Sequence, residues 1–92
     1  MILHDLEATL RSRRSASPEE SYTARLLADP TLNQRKIMEE AFEVCLELQA
    51  SPIEPARTAE EAADVIYHLM VGLVGADVAL DDVLAVLEGR RS

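Results

Sequence analysis

Cysteine is nearly absent from this chain: Cys45 stands alone, so no intrachain disulfide and no cysteine-held metal cluster can form. Nothing therefore points to an oxidising compartment. Tryptophan is missing and the only aromatic residues are Phe42, Tyr22 and Tyr67. Burial must then rest on Leu, Val, Ile, Ala and Met, the residues of packed helices. Three glycines and four prolines are too few for the tight turns of a small sandwich or barrel, and no sustained period-2 alternation occurs. Membrane-length apolar runs are lacking too, and Met1–Leu10 is broken by His4, Asp5 and Glu7, so no secretory core is expected. A cytoplasmic location with no membrane partner follows as the expectation. Excess positive charge is the last absence. With a net charge of −8, the chain is poorly suited to nucleic-acid backbones, which are bound by Lys and Arg. A small phosphorylated substrate stays open, because carboxylates that hold divalent cations invert the local field.

What is present has helical spacing. The 92 residues make one domain, 1–92, small enough to be short of core. Leu3, Leu6 and Leu10 predict a short first helix, and the basic, serine-rich stretch Arg11–Pro18 reads as a mobile loop. Ser21 fits the N-cap of a turn or two of helix, ended by Asp29-Pro30. Asp29 as N-cap and Pro30 at the first helical position then launch a long helix to about Gln49, with Ile37, Ala41, Val44, Cys45 and Leu48 on one apolar face. Cys45 reads as a small buried hydrophobe there. The prolines of Ser51-Pro52-Ile53-Glu54-Pro55 mark a linker. A second long helix is expected from an N-cap at Thr58 to about Val74, with Gly75 as a left-handed C-terminal residue. Asp81 caps a short last helix whose Val83, Leu84 and Leu87 turn inward.

Acids on the two long helices carry the chemistry. On a helical wheel Glu43 falls between Glu39 and Glu40, so the three share a sector about 100° wide. Glu47 and Lys36 fall in the same sector a turn away. On the next helix Glu61, Asp64, His68 and Gly72 recur at i, i+3, i+7 and i+11, which is one face. If the helices pack antiparallel, the two sets meet. Such crowding is mildly destabilising unless offset, and Mg²⁺, a hard cation that shares oxygen ligands with substrate phosphates, is the natural offset. Spacing alone leaves two readings open, a metal-assisted phosphoanhydride hydrolase or a solvated acidic face. Thr58 to Glu61 also fits a capping box that would use up the Glu61 side chain.

At these residues the sequence resembles the phosphoribosyl-ATP pyrophosphohydrolase family, within the wider group of all-α MazG-like nucleoside triphosphate pyrophosphohydrolases. The resemblance spans nearly the whole chain. It lies in Glu39-Glu40-Ala41-Phe42-Glu43 and Glu61-Ala62-Ala63-Asp64, the Glu-Glu-x-x-Glu and Glu-x-x-Asp halves of that group's signature. Ser21-Tyr22-Thr23, Lys36, the segment from Ala63 to Leu69 and Asp82-Val83-Leu84 narrow it to the histidine-pathway branch. Met38 departs from the glycine that many members carry before the double Glu. The resemblance implies hydrolysis of phosphoribosyl-ATP between its α and β phosphates, the second step of histidine biosynthesis. It implies Mg²⁺ ligands at Glu39, Glu40, Glu43, Glu61 and Asp64, with Glu40 and Glu43 as catalytic acids. Lys36 and Arg25 are secondary candidates for phosphate contact, and the Arg11–Arg14 loop for closure over the polyphosphate. His68 reads as a structural hydrogen-bonding residue, and Tyr67 and Phe42 as core or interface. The zinc ligands of the cyclohydrolase sometimes fused to this activity are missing, so a single reaction is expected.

The expected architecture is all-α, with four or five helices whose two long antiparallel members form half of a bundle completed by homodimerisation. Two rivals keep their place. One is a housekeeping pyrophosphohydrolase of free nucleoside or deoxynucleoside triphosphates, and the other a non-catalytic helical dimerisation module.

Overall fold

The computed structural model describes residues 1–91, and among them every regular element is helical. Helix α1 spans Ile2–Ser12 and passes into a 3₁₀ turn, Arg13–Ser15. Then come α2 (Tyr22–Ala28), α3 (Pro30–Leu48), α4 (Pro55–Gly75) and α5 (Leu80–Gly89). The all-α expectation holds, with five α-helices. None is long and apolar enough to cross a membrane.

Two helix starts follow from local chemistry as expected. Ser21 accepts a hydrogen bond from the Ala24 amide and Asp29 from the Leu32 amide, each satisfying a donor that the helix start orphans. Pro30 sits at the first helical position of α3, where its missing N–H costs nothing.

Four expectations need correction. Helix α4 begins at Pro55 rather than after Thr58, because the second proline of the linker opens the helix instead of ending the linker. Thr58 lies inside the first turn, its hydroxyl donating to the Glu54 carbonyl. Gly75 is the last residue of α4 and is not left-handed; the positive φ, 58°, falls at Asp77, a residue type that tolerates it. Asp81 does not cap α5. Ala79 occupies that position, and the Leu80 amide donates instead to the Glu7 carboxylate of α1 at 2.8 Å. Leu87 is exposed, while Val83 and Leu84 are half-buried.

The stretch Arg11–Arg14 is also not a loop, since α1 and the 3₁₀ turn run through it. Arg14 donates to the Val74 carbonyl at the end of α4 and to the Asp77 carboxylate at 2.7 Å. A cation there satisfies the orphaned carbonyls of a helix C-terminus. Arg14 is thereby committed to structure rather than to a phosphate. The guanidinium holds the Asp77 carboxyl below its usual range, first through the hydrogen bond and then through its charge. A depressed folded-state pKa means that this contribution is complete above the ordinary carboxylate range and is lost as pH falls through the depressed value. Asp77→Asn, which keeps the tolerance for positive φ, is expected to flatten the acid limb of a plot of Tm against pH. Identical acid limbs for the two proteins would contradict the tie.

The core is small, as the length requires. Leu10, Leu26, Met70, Val71, Val74 and Leu80 form it, drawn from α1, α2, α4 and α5. Only the C-terminal half of α4 is enclosed. The remainder of α4 packs along α3, and Asn33 meets His68 and Gly72 at one end of this seam while Glu47 meets Arg57 at the other. The order of these pairs makes the helices antiparallel. Away from the seam α3 is bare: Met38, Phe42, Leu46 and Leu48 are exposed, as are Ile66 and Leu69 of α4. Cys45 is exposed with them. The expectation of a buried Cys45 fails: of the predicted apolar face, Ile37, Ala41 and Val44 are half-buried while Cys45 and Leu48 are exposed.

Candidate active site

The acids of α3 and α4 meet across the middle of the seam. Glu40, Glu43 and Glu61 each bring a carboxylate oxygen within 4.8 Å of the others. Asp64 stands close enough to Glu40 to act on its charge. The antiparallel register sets this meeting: the i, i+3 pair on α3 faces the i, i+3 pair on α4. Glu61 takes no part in a capping box, since Thr58 is not the cap, and its Oε2 is buried without a hydrogen-bond partner.

The crowding has an electrostatic signature. The Glu40 carboxyl is pushed above its usual range mainly by burial, with Asp64 and Glu43 adding to the shift and His68 opposing it. Glu61 is pushed up as well, first by its hydrogen bond to Glu43 and then by burial and the neighbouring acids. Like charges packed this closely favour the protonated form. They equally favour a bound cation, which lets all of them ionise. A set of hard oxygens with one orphaned lone pair suits a hard divalent cation such as Mg²⁺.

The other candidates are placed less centrally. Glu39 lies outside the converging trio and pairs with Lys36 at 3.7 Å, both side chains being substantially exposed. Glu47 is engaged by Arg57 at 2.7 Å. Arg25 is exposed on α2. Tyr67 is half-buried and Phe42 exposed, so core or interface remains the description of both.

Sequence reasoning missed what lies behind the acids. The buried His68 places Nδ1 3.3 Å from Glu40 Oε1, and its Nε2 is 3.2 Å from the Tyr22 hydroxyl. The Tyr22 and Tyr67 rings stack with centroids 6.4 Å apart, and both stand edge-on to the His68 ring. Thr23 and Tyr67 join hydroxyls at 2.5 Å. The position of His68 on the acid stripe, where it reads as a hydrogen-bonding residue, was the available signal; the segments that hold Tyr22 and Tyr67 carried family resemblance, but their meeting depends on how α2 crosses α4. At the end of the seam a cleft of about 360 Å³ opens between α2, α3 and α4, bordered by Leu26, Asn33, Ile37, Gly72 and Gly75. Gly72 keeps it open beside Asn33, whose amide nitrogen lies 3.3 Å from where a Cβ would stand.

Comparison with known proteins identifies the family. A family model described as phosphoribosyl-ATP pyrophosphohydrolase matches residues 3–91. Proteins named phosphoribosyl-ATP pyrophosphatase from a Ruegeria species and from Ruegeria pomeroyi are 47% and 48% identical over 91 residues, covering 98% of this chain and 85% of theirs. A protein of the same name from Methylobacterium nodulans is 46% identical over 93 residues, covering 98% of this chain and 83% of its own.

Proposed function

The chain belongs to the phosphoribosyl-ATP pyrophosphohydrolase family, and we propose that it hydrolyses phosphoribosyl-ATP to phosphoribosyl-AMP and pyrophosphate, the second step of histidine biosynthesis. The observation that carries the proposal is the convergence of Glu40, Glu43 and Glu61 at the helix seam, with one Glu61 oxygen buried and unpartnered. Glu40, Glu43, Glu61 and Asp64 would hold Mg²⁺, with Glu39 at the rim beside Lys36. Bound there, the ion would neutralise the polyphosphate and hold it in line for attack. Glu43 is the exposed acid of the converging three, placed to orient a water and take its proton. Glu40, the more enclosed, keeps its carboxylate fixed on the cation side. Lys36 and Arg25 are the secondary contacts to phosphate, and the apolar cleft beside Asn33 offers room for the nucleoside part.

The working unit is a homodimer in the cytoplasm. Its support is the exposed apolar run Met38, Phe42 and Leu46 on α3, continued by Ile66 and Leu69 on α4, more than one short chain covers.

Pyrophosphate release from phosphoribosyl-ATP, ATP and dUTP, each compared by kcat/KM, tests the assignment. Phosphoribosyl-ATP is expected to be strongly preferred. Preference for ATP or dUTP would move the chain to the housekeeping activity. No release from any of them by folded protein would favour the non-catalytic helical module.

A further inference from the structure

We propose that His68 is a positioning residue for the acid cluster: held as its Nδ1–H tautomer between α2 and α3, it sets its Nδ1 edge against Oε1 of Glu40 and so holds that carboxylate in place at the cation site. The inference rests on the reading of these acids as a divalent-cation site.

The tautomer follows from the partners. His68 Nδ1 lies 2.9 Å from the Asp64 carbonyl oxygen and 3.3 Å from Glu40 Oε1. The Asp64 carbonyl oxygen can only accept, so a proton must be on Nδ1. In the neutral ring Nε2 is then bare, and the Tyr22 hydroxyl, 3.2 Å away, donates to it. Each ring nitrogen thus has a partner of the right kind. The ring cannot exchange those partners for water, because the His68 side chain is only 7% exposed. Its freedom to rotate is limited by Tyr67, whose ring meets it edge-on at 5.0 Å. The backbone is tied at the same level, where the Asn33 side-chain amide donates to the His68 carbonyl at 3.1 Å.

The consequence falls on Glu40. Its side chain is 15% exposed, and its Oε1 lies 3.3 Å from the Nδ1 edge of His68, beside the hydrogen bond that this nitrogen makes to the Asp64 carbonyl. A carboxylate held by a second-layer partner loses less freedom when it ligates, and removing such partners commonly costs about 10- to 100-fold in metal affinity or activity. Tyr22 acts one step further out, through the imidazole. A purely structural His68 would fill space and stabilise α4 without affecting what Glu40 can hold.

Three variants separate these roles: His68→Asn, whose amide N–H reproduces the Nδ1 donor; His68→Leu, which keeps volume and removes the donor; and Tyr22→Phe, which removes only a half-exposed hydroxyl. Mn²⁺ alone, titrated into metal-free protein and followed by electron paramagnetic resonance, is the probe. His68→Leu is expected to bind Mn²⁺ roughly 10- to 100-fold more weakly, His68→Asn close to wild type, and Tyr22→Phe between them. Nitrogen-15 spectra of metal-free wild type should show His68 protonated at Nδ1, with Tyr22→Phe giving a tautomer mixture. Equal Mn²⁺ affinity in the folded variants, or an Nε2–H ring in wild type, overturns the inference. If His68→Leu fails to fold, the tautomer and the Tyr22→Phe affinity still decide it. Should wild type hydrolyse no phosphoribosyl-ATP while the Mn²⁺ ranking holds, the proposed activity fails and the positioning role stands. Turnover without that ranking gives the reverse.

Discussion

Glu43→Gln is expected to slow pyrophosphate release from phosphoribosyl-ATP by roughly 100- to 10,000-fold, the usual contribution of a group that handles the proton of an attacking water. Glu40→Gln should cost at least as much, because it removes a proposed cation ligand from the enclosed side of the cluster. Stability should move the other way. In metal-free protein the two helices hold four acids against one another, and each like-charge pair relieved is worth a few tenths of a kcal/mol. The Glu40 carboxyl is pushed above its usual range mainly by burial, so its ionised form is the one that folding disfavours. A carboxyl with a raised folded-state pKa penalises folding above that value, and the penalty disappears as pH falls through it. The gain in Tm from Glu40→Gln should accordingly be present at neutral pH and vanish in acid. Loss of activity together with loss of fold would contradict this account, since acids placed for chemistry rather than for packing are dispensable to the fold.

The second large effect concerns the bare side of α3. Phe42 is 65% exposed and Met38 64%, and around a two-fold axis every such residue is buried twice. Burying a Phe side chain is worth about 1.5–3 kcal/mol, so two copies contribute about 3–6 kcal/mol, or at least ~100-fold in the dimer dissociation constant. Phe42→Glu forfeits that burial and also places a carboxylate on a surface that should become dry. Light scattering at micromolar protein should therefore show a wild-type dimer and a monomeric Phe42→Glu. Turnover should fall in parallel, because a monomer leaves the seam's outer side in water. A wild-type protein that is monomeric while fully active would remove the dimer from the account.

What could be read in the sequence was whatever depends on neighbours along the chain. Ser21 and Asp29 cap α2 and α3 because their side chains bond amides three residues on, a distance that any sequence displays. The acid cluster belongs to the same kind of information, since i, i+3 spacing fixes the faces and one linker fixes the antiparallel pairing. What required the third dimension was missed. The α5 start takes its cap from Glu7, 73 residues away. The chain leaves α4 through a positive φ at Asp77 rather than at the glycine two residues earlier. Glu39 shares a helical sector with Glu40 and Glu43, yet it lies outside the converging trio, exposed beside Lys36. Cys45 and Leu48 lie on what periodicity marks as an apolar face, but the packing half-buries only Ile37, Ala41 and Val44 of it. The contact of His68 with both Glu40 and Tyr22 depends on three helices at once.

The central claim is that the seam acids work through a divalent cation. It is tested most directly by following pyrophosphate release from phosphoribosyl-ATP by chelator-treated protein as Mg²⁺ is added back. The account predicts no measurable release before addition and recovery that saturates with Mg²⁺ in wild type but not in Glu40→Gln. Full turnover in the presence of chelator would contradict it.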